Sequence, residues 1–151
     1  QFAKNQVMEN TDQIDLNSLF NEIKNLINNK NLRIECENDI NFIGRRSALK
    51  RSFQNVIQNG LTYGKNVNVK VQKSNNRVIV FIEDDGPGIP EDQYKNVFKP
   101  FFRLDKSRSL NKSGVGLGLA IVEDVINSHG GNIQMGKSKM NGLSVKISLP
   151  Y

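Results

Sequence analysis

Two residue types that build most metal and disulfide sites are almost absent from this 151-residue chain. There is one cysteine, Cys36, so an internal disulfide and a dense cysteine–metal cluster are both excluded. There is one histidine, His129, so a metal site that needs two imidazoles is excluded as well. The chemistry of the chain has to come from other residue types.

Long apolar runs are also missing. No stretch approaches the roughly 20 consecutive apolar residues of a membrane span, and no signal peptide is visible. With 37% hydrophobic residues, the chain has the size and composition of one domain that buries its own core. It begins at Gln1 rather than Met, and we expect it to be a fragment of a longer protein.

The net charge of +6 raises the question of nucleic-acid binding. Lysine and arginine are scattered, however, and the only adjacent pairs are Arg45-Arg46 and Lys50-Arg51. A mildly basic pocket suits a nucleotide with several negative charges equally well. Nucleic acid is therefore not the expected partner.

Apolar spacing along the chain predicts helices that alternate with hairpins. Residues 1–13 are expected to be a linker or the tail of a preceding helix, and 14–151 to form the domain. Helices are predicted over 15–30, 45–63, 91–98 and 116–128, and strands over 32–36, 67–71, 78–82, 132–136 and 143–149. This order predicts an α+β fold, a two-layer sandwich in which an antiparallel or mixed sheet has helices on one face.

Asp84 ends one predicted strand and is followed by the turn Gly86-Pro87-Gly88. A carboxylate held there can accept a hydrogen bond from an exocyclic amine such as N6 of adenine. Gly86 and Gly88 would let the backbone approach the ring. Taken alone, the segment is equally an ordinary turn.

Asn55 and Asn59 are four residues apart on a predicted helix and therefore share one face. Two amides can hold Mg²⁺ when phosphates and waters complete its coordination. Tyr63 is four residues further along, on the same face, and could lie against a purine; Asn55, Asn59 and Tyr63 thus form one stripe. The alternatives are a solvated polar face and a tyrosine at the edge of the core.

A glycine-rich run, Gly114-Val115-Gly116-Leu117-Gly118-Leu119, opens the last predicted helix. Free backbone amides and the positive end of the helix dipole make the beginning of a helix a favourable phosphate-binding site. It is neither a Walker loop nor a dinucleotide fingerprint, because no Gly-Lys-Ser/Thr follows and no parallel βαβ unit surrounds it. An ordinary glycine-rich loop is the alternative.

The preceding residues 98–113 combine aromatic and cationic side chains, among them Phe101 and Arg103. Such a loop could close over a triphosphate and clamp it. A solvated loop without a ligand is the alternative.

In this order and spacing the segments resemble the catalytic and ATP-binding domain of sensor histidine kinases, within the superfamily shared with gyrase, Hsp90 and MutL. Residues 55–59 resemble the N box, 84–90 the G1 box, 98–103 the F box and 114–119 the G2 box. The match covers about residues 45–150 and is most similar to the branch of the osmosensor EnvZ. The resemblance implies the Bergerat fold.

The resemblance also implies the site. Asp84 would recognise adenine, and Asn59 would ligate Mg²⁺. Asn55 and Arg103 would orient the triphosphate and stabilise its charge. The ATP-binding residues would be Asn55, Asn59, Tyr63, Asp84, Gly86, Gly88, Ile89, Phe101, Arg103 and the run from Gly114 to Leu119.

Gyrase-like hydrolases carry Glu where this chain has Asn55, and Asn cannot act as a general base. Transfer of the γ-phosphate to a protein histidine is therefore expected, with slow hydrolysis. His129 is not expected to be the acceptor, because the family's acceptor lies in a separate dimerisation domain, on a motif that is absent here. The implied partners are that domain and, indirectly, a response regulator. The isolated chain would be monomeric, and the parent a homodimer anchored in the bacterial inner membrane with this domain in the cytoplasm.

Three departures from the family pattern remain. Gly60 follows Asn59 where alanine is usual, Thr62 stands where a basic residue is common, and Gly142-Leu143 replaces a frequent Gly-Thr. The alternative functions are an ATPase of the gyrase or Hsp90 type, a serine kinase of the anti-sigma type and a degenerate scaffold that no longer binds nucleotide.

Overall fold

The computed structural model describes residues 10–99 and 118–151. In these residues the helices are α1 (Leu16–Ile27), α2 (Arg46–Tyr63) and α3 (Gly118–Ser128). The strands are β1 (Asp12–Asp15), β2 (Leu32–Cys36), β3 (Asn41–Gly44), β4 (Val67–Ser74), β5 (Arg77–Asp84), β6 (Asn132–Lys137) and β7 (Leu143–Pro150). Within these residues, no helix combines the length and the apolarity that crossing a bilayer requires.

Five strands form one sheet in the order β2-β4-β5-β7-β6. The β2–β4 pair is parallel and the other pairs are antiparallel, so the sheet is mixed. The inward side chains of β5 are Val78, Val80, Ile82 and Asp84, and all four are buried. Val78, Val80 and Ile82 share one core with buried residues of α1, α2 and α3. The predicted two-layer α+β sandwich is confirmed.

Each end of α1 has an identifiable cause. Asp15 caps the beginning, since its carboxylate accepts a hydrogen bond from the backbone N–H of Asn17 at 3.0 Å. Asn28 ends the helix in the left-handed conformation, with φ of 50°, before the expected end at residue 30. Glu22 joins α1 to α2 through ion pairs with Arg46 and Lys50, which lower the pKa of its carboxyl to about 2.

Strands β1 and β3 form a separate antiparallel ribbon that the sequence did not predict. Strand β1 begins at Asp12, inside the segment expected to be a tail or linker. Its only apolar residue is Ile14, so no alternating pattern marks it. Pairing with β3 buries Ile14 and Phe42 and thereby stabilises the ribbon.

The prediction of a single helix over residues 91–98 is wrong. Two 3-10 segments, Glu91–Gln93 and Asn96–Phe98, occupy that stretch, and only Val97 among them is buried. One buried side chain gives little packing energy to extend a helix. Lys99 has an extended backbone because it precedes Pro100, and a residue before proline disfavours the α conformation.

Candidate nucleotide-binding site

The structure brings the stripe on α2 and the end of β5 to the same part of the molecule. Asn55 and Asn59 are half-buried on α2, and Tyr63 is 37% exposed at its end. Ile89 is half-buried against the core, whereas Gly118 and Leu119 begin α3. The other predicted residues, Phe101, Arg103, Gly114, Val115, Gly116 and Leu117, lie outside the described part of the chain.

Asp84 is one of the few buried polar side chains, with 8% of its surface exposed. Its Oδ1 accepts hydrogen bonds from the backbone N–H groups of Gly86, at 2.9 Å, and Leu143, at 3.1 Å. No described residue donates to Oδ2. The carboxylate is therefore fixed by one oxygen, and no residue in the described part of the chain occupies the other, which could accept from an exocyclic amine.

The surroundings of Asp84 are apolar. On one side, Asp84 pairs with Val67 of β4. On the other side Glu83 pairs with Ser144 of β7, so the antiparallel register places Leu143 opposite Asp84. Both neighbours are buried. Burial raises the pKa of the Asp84 carboxyl, and the hydrogen bonds from Gly86 and Leu143 oppose that change.

Asp85 points to a different set of partners. Its carboxylate accepts hydrogen bonds from the backbone N–H groups of Lys65, at 2.7 Å, and Asn66, at 2.8 Å, and from the Asn66 side-chain amide at 2.9 Å. The bonds from Asn66 and Lys65 lower its pKa to about 2. Asp85 therefore ties the loop after α2 to the turn after β5.

The glycines beside Asp85 permit that contact. A Cβ on Gly86 would lie 2.9 Å from the carbonyl oxygen of Tyr63, and one on Gly64 would lie 2.8 Å from the Gly86 nitrogen. The close approach that Gly86 allows in the structure is to the end of α2. Gly88 has a φ of +75°, which glycine adopts without strain.

Gly142 is a site residue that sequence reasoning noted only as a departure. A Cβ on it would overlap Oδ1 and the carbonyl oxygen of Asp84 and lie 2.7 Å from the nitrogen of Gly86. The β6–β7 hairpin can therefore reach Asp84 only with glycine here. The Asn141-Gly142 turn dipeptide was visible, but its partner at the end of β5 was not.

Ser138 and Glu83 hold the same hairpin from the other face of the sheet. The Ser138 N–H donates to the carbonyl of Gly142 at 2.9 Å. The hydroxyls of Ser138 and Ser144 each donate to a different oxygen of the Glu83 carboxylate, both at 3.3 Å. Glu83 and Asp84, which are adjacent on β5, thus accept hydrogen bonds from the same hairpin on opposite faces of the sheet.

His129 has partners at both ring nitrogens. Its Nε2 accepts a hydrogen bond from the backbone N–H of Arg45 at 3.0 Å, and Nδ1 lies 2.8 Å from the carbonyl of Val125. This geometry fits a neutral ring with the proton on Nδ1. The ring joins the end of α3 to the beginning of α2, which supports a structural role for it.

The α2 amides suit Mg²⁺ by their donor chemistry. Within residues 10–99 and 118–151, no cluster of three His, Cys, Asp or Glu residues could hold a metal ion. A hard cation near α2 would take the Asn59 amide oxygen as its protein ligand and complete its shell with phosphate oxygens and water. Half-burial leaves the Asn59 side chain accessible for such a contact.

Comparison with known proteins defines the class. Residues 44–151 match the family of histidine kinase-, DNA gyrase B- and Hsp90-like ATPases, and the chain belongs to this family. Among its relatives is the sensor histidine kinase GtrS of Pseudomonas aeruginosa, 31% identical over 95% of this chain and 30% of that protein. Another is the sensor histidine kinase CpxA of Escherichia coli, 34% identical over 71% of this chain and 24% of its own length. The chain thus spans less than a third of these curated relatives.

Solved structures agree with this assignment. The catalytic domain of histidine kinase ThkA superimposes with a TM-score of 0.81 at 27% identity, covering 95% of this chain and 96% of that one. The histidine kinase domain of the E. coli osmosensor EnvZ gives 0.68 at 32% identity, covering 97% and 91%. The resemblance to sensor histidine kinases is therefore confirmed, and the fold is that of their catalytic domains.

Proposed function

We propose that this chain binds ATP with Mg²⁺ and donates the γ-phosphate to a histidine of a separate dimerisation domain in its parent protein. The observation that carries the proposal is the Asp84 carboxylate. Backbone N–H groups hold its Oδ1, apolar neighbours exclude water, and Oδ2 is available to a base amine. A carboxylate oxygen between apolar neighbours can accept a hydrogen bond from the amine of adenine, whereas guanine has an oxygen in that place.

The remaining roles follow from position on α2. Asn59 would ligate Mg²⁺, whose charge neutralises the phosphates, and Asn55 would orient the triphosphate beside it. Tyr63, at the exposed end of the same stripe, would lie against the purine. Phe101, Arg103 and the glycine run from Gly114 to Leu119 would cover and cradle the phosphates.

The parent protein follows from the class. It would be a homodimeric sensor kinase anchored in the bacterial inner membrane, with this domain in the cytoplasm and a response regulator receiving the phosphate from the acceptor histidine. Its relatives are named sensor kinases of greater length, which supports this part of the proposal. His129 is not proposed as the acceptor, because both of its ring nitrogens have protein partners.

Calorimetric titration with MgATP tests the function. Asp84→Asn keeps an oxygen for the N–H groups of Gly86 and Leu143 but replaces Oδ2 by a donor, so affinity should fall by roughly a hundredfold or more. Asp92→Asn, at an exposed position, is the matched control and should bind as the unmodified chain does. Equal affinity of Asp84→Asn and the unmodified chain would refute the assignment of Asp84 to the base.

A further inference from the structure

Gly60 lies at a close contact between α2 and the sheet. An ideal Cβ on it would lie 2.9 Å from Cγ2 of Val67, 3.4 Å from Cβ of Asp84 and 3.5 Å from Oδ2 of Asp84. Val67 is fully buried in β4, and a valine side chain has no flexible end that could move aside. At this turn, α2 lies closer to the sheet than alanine would permit.

A glycine inside a helix needs an explanation. It costs about 1 kcal/mol of helix stability relative to alanine, and Gly60 lies within α2, which runs from Arg46 to Tyr63. The neighbouring residue is Asn59, and after Val67 the next atoms that a Cβ on Gly60 would meet belong to the Asp84 side chain. The close contact therefore lies between the two halves of the candidate site, the amides on α2 and the carboxylate on β5.

We propose that Gly60 is a positioning residue that sets the distance between the α2 amides and the Asp84 carboxylate, so that one nucleotide can contact both. This inference rests on the proposed function. The base contacts Asp84 and the phosphate-bound cation contacts Asn59, and a rigid purine nucleotide tolerates little change in that separation. A methyl group at position 60 would push α2 outward by a few tenths of an ångström, because Val67 closes the space beneath it.

A glycine needed only for packing predicts a different result. In that case alanine at position 60 changes the thermal stability and leaves the affinity of the folded protein unchanged. A positioning residue predicts a loss of affinity that returns when the obstructing methyl group of Val67 is removed. The pair Gly60 and Val67 therefore allows a double-mutant cycle with ATP affinity as the readout.

The experiment measures MgATP affinity by calorimetry, and melting temperature in parallel, for the unmodified chain, Gly60→Ala, Val67→Ala and the double variant. Gly60→Ala should bind roughly tenfold more weakly. Val67→Ala measures the effect of removing the valine from beside Asp84, and the double variant should bind within about threefold of Val67→Ala. Gln58→Ala, at an exposed position of the same helix, is the control and should change nothing.

Two results would overturn the inference alone. One is equal affinity of Gly60→Ala and the unmodified chain, and the other is a folded double variant that still binds tenfold more weakly than Val67→Ala. The double variant nearly conserves the volume at this contact, so it decides the question even where Gly60→Ala does not fold. Absence of ATP binding by the unmodified chain would instead overturn the proposed function, and this inference with it.

Discussion

The two adjacent aspartates at the end of β5 have carboxyl pKa values displaced in opposite directions. Burial between Val67 and Leu143 raises the pKa of Asp84, whereas hydrogen bonds from Asn66 and Lys65 lower that of Asp85 to about 2. Because burial favours the neutral form of Asp84, its contribution to folding stability declines as the pH rises through its raised pKa. The contribution of Asp85 is present above its ordinary pKa and is lost as the pH falls toward about 2.

These opposite signs predict a range of pH in which the chain is folded but does not bind ATP. As the pH falls from 7, Asp84 takes up its proton first and can no longer accept from the base amine through a charged oxygen. Asp85 stays ionised until a pH of about 2 and continues to hold the loop after α2. Calorimetry and circular dichroism at matched pH values should show affinity declining before secondary structure does.

The variant Asp85→Asn separates the two effects. It should keep the pH dependence of ATP affinity and lose the stability that Asp85 provides, most visibly between neutral pH and about 4, where the aspartate is ionised in both states. Asp84→Asn should instead weaken binding by roughly a hundredfold or more and keep the stability that Asp85 provides. Affinity and secondary structure declining together with pH in the unmodified chain would contradict this prediction.

At the scale of elements, the β6–β7 hairpin is the part of the sheet that fixes Asp84. Gly142→Ala should destabilise the chain by roughly 2 kcal/mol and abolish ATP binding, because the added Cβ meets backbone atoms and a carboxylate that cannot move aside. The measurement is chemical unfolding together with calorimetric titration.

The same hairpin provides the control. A Cβ on Gly136, in β6, would have no atom within 4 Å, so Gly136→Ala should leave both stability and affinity near those of the unmodified chain. ATP binding retained by Gly142→Ala would show that the hairpin does not position Asp84.

The junction of α2 and α3 depends on His129. Arg45, the N-cap of α2, has no side-chain capping bond, and its backbone N–H donates instead to the imidazole at the end of α3. His129→Ala should leave that N–H without its partner and lower the free energy of unfolding by about 1–2 kcal/mol. Asn127→Ala, an exposed position on the same helix, should have no comparable effect in the same unfolding titration. Equal unfolding free energies for the two variants would exclude a joining role for His129.

At the scale of the whole molecule, periodicity in the sequence predicts the elements that bury an apolar stripe. Helix α2 and the β4–β5 hairpin have such stripes and were predicted close to their observed bounds. The β1–β3 ribbon buries one residue from β1 and has no stripe to detect. Its stability comes from pairing with a distant strand, which local spacing does not report.

The candidate site likewise contains residues that the sequence could identify and residues that only the tertiary structure reveals. Asp84, Asn55 and Asn59 belong to short segments with recognisable composition, so sequence reasoning could select them. The contribution of Gly142 and Leu143 depends on the β5–β7 register, which joins Leu143 to Asp84 across 59 residues of sequence. Gly60 was noted only as a departure from the family pattern, because its contact with Val67 exists only once α2 lies on the sheet.

The proposed position of Asn55 beside the triphosphate has a consequence for the reaction of the whole chain with ATP. An amide has no usable basicity at neutral pH, so the chain can bind and orient ATP but cannot activate a water molecule through this residue. Incubated alone with radiolabelled MgATP, it should show slow phosphate release and no label on itself, since the imidazole of His129 is held on both sides. Addition of a histidine-bearing dimerisation domain from a related kinase should produce an acid-labile phosphohistidine on that domain. Rapid release of phosphate by the chain alone would indicate a hydrolase, and acid-stable label on a serine of the added protein would indicate a serine kinase; either result would contradict a donor function directed at histidine.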